Sequence, residues 1–108
     1  MTKILVIAEH NGAALNPSTA KCVACAAEIS AADIDVAVLG ASVADVAAQA
    51  AQINGVSRVL TAERPENDPA VAAILAPQIV AMAEDYSHVL GPSTAFGKDL
   101  MPRVAALL

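Results

Sequence analysis

Lys3-Ile-Leu-Val-Ile-Ala8 is a nearly unbroken apolar run rich in branched side chains. A strand with this composition is one covered on both faces, as in a parallel sheet. Working outward, the same alternation of segments recurs. Asn16-Pro17 supplies a cap and a first-turn proline, and residues 18 to about 30 have the helical composition expected to follow. Asp35-Val-Ala-Val-Leu39 is a second strand closed by Gly40, with Ser42 placed to cap a helix over about 43–53. Ser57-Arg-Val-Leu-Thr-Ala62 is a third strand, Glu63-Arg-Pro-Glu-Asn67 a polar loop, and Asp68-Pro69 the expected opening of a third helix that runs to about Glu84. Pro77 is expected to bend or split that helix, because it lacks the amide proton and crowds the preceding turn. Ser87-His-Val-Leu-Gly91 is a short fourth strand, and Pro92-Ser-Thr-Ala-Phe-Gly97 leads into a helix that stays in phase to Leu108. Four strand-then-helix units predict right-handed crossovers and an α/β fold: a three-layer, doubly wound parallel sheet, Rossmann-like in its layering.

The chain has 108 residues, the length of one domain, so residues 1–108 are taken as a single α/β unit. With 56% hydrophobic residues and only 2% aromatic, its core must be built from Ala, Val, Ile and Leu, which favours close packing of helix on sheet. The net charge is −5, and the six basic residues are scattered rather than gathered in a stripe, which argues against a nucleic-acid partner. The first apolar run is too short for a signal h-region or a membrane span, so no membrane insertion is expected and a soluble intracellular protein is the simplest reading.

Cys22 and Cys25 form a Cys-x-x-Cys, which invites a redox or metal interpretation. The pair lies inside a run of helical composition, several residues beyond the cap that would lower a thiol pKa, and no second ligand pair completes a tetrahedral zinc site. Two small residues on a helix face is the reading preferred here, and no metal site is expected.

In open parallel sheets ligands bind outside the carboxyl ends of the strands, so the loops after the first and fourth strands carry the functional information. The first, Glu9-His-Asn-Gly-Ala-Ala-Leu-Asn16, contains neither Gly-x-Gly-x-x-Gly nor Ser-Gly-Gly, the runs that would bring a pyrophosphate against the backbone. His10 could act as a base or ligand, but no Ser, Cys or Asp joins it at an informative spacing. The fourth-strand loop, Gly91-Pro-Ser-Thr-Ala-Phe-Gly-Lys-Asp99, resembles a P-loop and fails in two places. Five residues rather than four separate its glycines, and Asp99 stands where a hydroxyl would bind magnesium. A structural account is expected instead: Ser93 or Thr94 caps the helix, Gly97 permits close packing, and Asp99 and Arg103 form a surface ion pair. Ser93, Thr94 and Lys98 remain the candidates for weak nucleotide or anion binding. His88 and the acidic groups of residues 63–68 and 84–85 are read as structural or solvated, and no catalytic residue is assigned.

Lys3-Ile-Leu-Val-Ile-Ala-Glu-His10, the helix start Asn16-Pro-Ser-Thr-Ala20 and Phe96-Gly-Lys-Asp-Leu-Met-Pro-Arg-Val-Ala-Ala-Leu-Leu108 together resemble the start of electron transfer flavoprotein alpha subunits, in order along the whole chain. The resemblance implies an N-terminal α/β domain of the adenine nucleotide alpha hydrolase-like kind. It would serve as scaffold and as a surface for the beta subunit, and FAD would be bound by a C-terminal domain beyond Leu108. It further implies electron traffic from flavin dehydrogenases to a quinone-linked acceptor through the intact heterodimer, in the bacterial cytoplasm or the mitochondrial matrix. No flavin-binding residue carries over onto this chain, which is expected to be an electron carrier's domain and not an enzyme. Pro102 and Arg103 match the family's motif, which implies a packing role near the join to the rest of the subunit. The run Val104-Ala-Ala-Leu-Leu108 lacks a helix stop signal, and the chain is accordingly expected to be a fragment.

Two rival readings differ in class. A free-standing nucleotide-binding module similar to universal stress proteins would share the sheet architecture, yet its usual glycine spacing is missing around Gly91. A small hydrolase using His10 rests on one imidazole.

Overall fold

In the computed structural model, which describes residues 3–29 and 33–108, four strands alternate with four helices: β1 (Lys3–Ile7), α1 (Ser18–Ile29), β2 (Asp33–Gly40), α2 (Ala44–Ala51), β3 (Arg58–Glu63), α3 (Ala72–Met82), β4 (His88–Leu90) and α4 (Ala95–Leu107). The strands form one parallel sheet in the order β3-β2-β1-β4. This is the doubly wound, three-layer Rossmann-like arrangement the sequence predicts.

Strand periodicity distributes the core between the two faces. Ile4, Val6, Val36 and Val38 meet Val23 and Ala26 of α1 and Val46 and Ala50 of α2 on one face. Leu5, Ile7, Ala37 and Leu39 meet Leu75, Ala76 and Ile79 of α3 and Leu100 and Val104 of α4 on the other. β1 and β2 are the inner strands, which explains why the decisive run at residues 3–8 is continuously apolar rather than alternating. Small alanines at the contacts let the helices approach the sheet without large rings.

Several boundaries differ from expectation, each for a local reason. The third helix begins at Ala72 rather than at Asp68-Pro69. Asp68 precedes a proline and is extended, with φ −124° and ψ 116°, a conformation that the proline ring imposes on its neighbour. Before it, Pro65–Asn67 forms a 3-10 turn whose buried Asn67 donates to the Ala62 carbonyl at 3.0 Å and exchanges hydrogen bonds with Gln78. Pro77 does not split α3, because it sits on the exposed side, where the carbonyl it leaves without an amide partner can face water. α2 is shorter than expected and Ser42 does not cap it; the Val43 amide donates instead to Glu63 Oε1 at 3.1 Å. Glu63 is thereby a capping group rather than a purely solvated loop charge. Asn16 behaves as read, accepting from the Ser18 amide at 2.9 Å, while the expected helix end at Ser30 lies outside the described residues.

Candidate functional site

The order β3-β2-β1-β4 places the topological switch point between β1 and β4, so the loops after these two strands face one another. Glu9 joins them. Its Oε1 accepts from Thr94 Oγ1 at 2.7 Å and from Ser18 Oγ at 3.5 Å, while its amide donates to the buried Thr19 hydroxyl at 3.2 Å. Thr94 is the N-cap of α4, accepting from the Gly97 amide at 3.3 Å. One carboxylate therefore lies at the mouths of α1 and α4, where the helix dipoles favour negative charge. A phosphate entering between the loops would meet that carboxylate, and the residues here do not fit the pyrophosphate of a dinucleotide. Removing the hydroxyl in Thr94→Ala strips both the cap and the Glu9 partner, with an expected stability loss of about 1–2 kcal/mol in chemical denaturation.

The rest of the first loop is fastened by its own polar groups. The Gly12 amide donates to His10 Nδ1 at 3.0 Å, which leaves the proton on Nε2, 2.6 Å from the Leu39 carbonyl. Both imidazole nitrogens are occupied, and neither offers the free lone pair a base or metal ligand needs. Gly12 reaches this geometry with φ +91°, a region open to glycine. Asn11 Oδ1 accepts the Ala13 and Ala14 amides, and Gln49 of α2 bonds to the loop backbone at Ala13 and Leu15.

Ser93, Thr94 and Lys98 are not gathered around one cavity. Ser93 and Thr94 line a groove against α1, whereas Lys98 is exposed on α4 away from it. Asp99 and Arg103 form the expected pair at 3.8 Å, both largely exposed, and Pro102 and Arg103 face solvent. His88 is exposed, its Nδ1 3.0 Å from Ser87 Oγ. Among the described residues, no group of three or more His, Cys, Asp or Glu side chains is placed to hold a metal.

A second polar cluster, unforeseen from the sequence, lies at the opposite end of the sheet. Asp35 of β2 is fully buried; its Oδ2 accepts from Arg58 Nε at 3.3 Å, Arg58 Nη2 at 3.0 Å and the Tyr86 hydroxyl at 2.5 Å. Oδ1 has no partner among the described residues. Lys3 Nζ stands 5.3 Å above the Tyr86 ring. Arg58 is directly opposite Asp35 in the β2–β3 register, so one cross-strand pair neutralises a carboxylate inside the sheet. The available signal was the charge inside the apolar run Ile34-Asp35-Val36, on the same strand face as Ala37 and Leu39.

Burial first, then the hydrogen bond and negative charge of Asp35, push the Tyr86 phenol up to about 12, against a lowering by Arg58. The neutral phenol is thus favoured by the fold. Its stabilising contribution is complete below the ordinary tyrosine value of about 10 and is lost as pH rises from there towards about 12. Tyr86 is the chain's single tyrosine and there is no tryptophan. An ultraviolet titration should therefore show phenolate forming near pH 12 in the folded chain and near 10 in denaturant.

Residues 4–108 match the model of the electron transfer flavoprotein domain. The chain belongs to this family. It is 50% identical over 105 residues to an electron transfer flavoprotein subunit alpha of Pseudomonas aeruginosa and 42% identical over 106 residues to that of Paracoccus denitrificans, covering 97% of this chain and 34% of each relative. The mitochondrial subunit alpha of Dictyostelium discoideum is 32% identical over 111 residues, covering 96% of this chain and 31% of the relative. This electron transfer flavoprotein domain thus spans about a third of the length of the relatives it matches. Among its described residues, no helix is long and apolar enough to cross a membrane.

Proposed function

We propose that this chain is the N-terminal scaffold and subunit-interface domain of the alpha subunit of a heterodimeric electron transfer flavoprotein. FAD is held elsewhere in the complex, and the beta subunit docks on this domain. One observation carries the interface reading. α3 contains no charged residue, and its outward side exposes Ala73, Ile74, Pro77 and Ala81, continued by Val71 just before it. Ile74 is 40% exposed and Val71 45%. Apart from Gln78, which is bonded to Asn67, the helix is apolar on every side, and such a helix belongs in an interior, so its outward face open to water implies a covering protein.

The switch-point geometry supports the flavin-free reading. Glu9 supplies the negative charge that a bound phosphate would bring, which also disfavours the universal-stress-like alternative. The complex would shuttle electrons from flavin dehydrogenases to a quinone-linked acceptor in the bacterial cytoplasm or, in a processed eukaryotic form, the mitochondrial matrix. This domain contributes no reactive group. Co-expression with the beta subunit followed by size-exclusion chromatography tests the reading. Co-elution in a one-to-one complex is the expected result; a chain that elutes alone and is instead thermally stabilised by ATP would favour a nucleotide-binding module.

A further inference from the structure

α1 presents Cys22 and Cys25 three residues apart, hence on one side of the helix, and both thiols are free. They line an open groove of about 420 Å³ between α1 and the loop after β4, together with Lys21, Ser93 and Thr94. Cys22 is half-buried against the core and Cys25 is exposed at the rim. The function proposed above makes no use of this groove.

The helix sets what the pair can do. Side chains three apart on a helix have Cβ atoms about 5–6 Å apart, whereas a disulfide needs about 3.5–4.5 Å. Direct oxidation to a disulfide therefore requires backbone movement. A single soft ion has no such requirement. With metal–sulfur bonds of about 2.3 Å, two sulfurs around one centre stand about 3.8 Å apart at a tetrahedral angle and about 4.6 Å apart in line. Rotation about the two Cα–Cβ bonds can provide that separation. The groove offers no carboxylate or imidazole among its lining residues, and the Thr94 hydroxyl is already committed to Glu9 and Gly97. Two sulfurs without hard or imidazole co-ligands suit a soft, low-coordinate ion and not zinc.

We propose that Cys22 and Cys25 form a two-sulfur site for one soft thiophilic cation, of which monovalent copper is the representative. On binding, two S–H bonds release their protons to solvent and two copper–sulfur bonds form; no electron changes hands. Lys21 on the groove wall offsets the negative charge of the resulting bis-thiolate centre.

The experiment is an anaerobic titration of the reduced chain with monovalent copper in competition with a chromophoric chelator, alongside Cys22→Ala and Cys25→Ser. The expected result is one ion per chain, simultaneous loss of both thiols to a thiol reagent, and at least a hundredfold weaker binding in each variant. Cys25 is exposed, so Cys25→Ser keeps the fold and remains informative if Cys22→Ala does not fold. Failure of the wild-type chain to compete would overturn the proposal, as would uptake that protects only one thiol or affinity retained in Cys25→Ser.

Discussion

Gly97→Ala should unfold the chain or lower its stability by about 3 kcal/mol or more, the upper end of overpacking costs. Two effects of opposite sign compete at this position in the first turn of α4. Helix propensity alone would make alanine the better residue by about 1 kcal/mol. A Cβ added there, however, would lie 1.7 Å from the Pro92 carbonyl oxygen and 2.8 Å from its carbon. These are backbone atoms of Pro92, the buried residue of the turn that feeds α4, so no side-chain rotation relieves the clash. Relief would move α4 off the sheet, where Leu100 and Val104 are packed, and would part Thr94 from both Glu9 and the Gly97 amide. Chemical denaturation measures the outcome. A variant as stable as the parent, or more stable, would mean that propensity wins and the turn is looser than described.

The paired substitution Val71→Asp and Ile74→Asp should leave the isolated domain within about 0.5 kcal/mol of the parent, because both side chains are substantially exposed. The same change should weaken association with the beta subunit by about thirtyfold or more. Two charges buried without partners at the centre of an interface cost at least as much as losing a hot spot of about 2 kcal/mol, and each 1.4 kcal/mol is tenfold in affinity. Gln52→Asp, at an exposed position just past α2 on the opposite face of the sheet, serves as the control and should bind normally. Equal affinity for the α3 variant and the control would remove α3 from the interface.

The layering was legible because it follows from hydrophobic periodicity. The run at residues 3–8, the glycine after Leu39 and the Asn16-Pro17 cap each point to the same alternating units, and the helices fall on the faces that right-handed crossovers require. What escaped depends on groups distant in sequence. The cap of α4 was legible as Ser93 or Thr94, but the choice of Thr94 and its bond to Glu9, 85 positions away, were not. Asp35 looked like the polar start of a strand, and only the β2–β3 register shows that Arg58 stands opposite it and that Tyr86 closes the cluster. Ser42 had the chemistry of a cap, yet Glu63, brought alongside by strand pairing, took the Val43 amide. The charge-free outer face of α3 was present in the sequence, but only the fold shows which of its apolar residues are left without cover.

The most direct test of the central claim is the visible absorption spectrum of this chain, purified after incubation with FAD, against that of the longer alpha subunit co-expressed with its beta subunit. Flavin bands in the two-subunit complex and none retained by residues 1–108 is the predicted result. Stoichiometric flavin co-eluting with the 108-residue chain would contradict it, and would place the cofactor in the domain whose switch point is closed by Glu9.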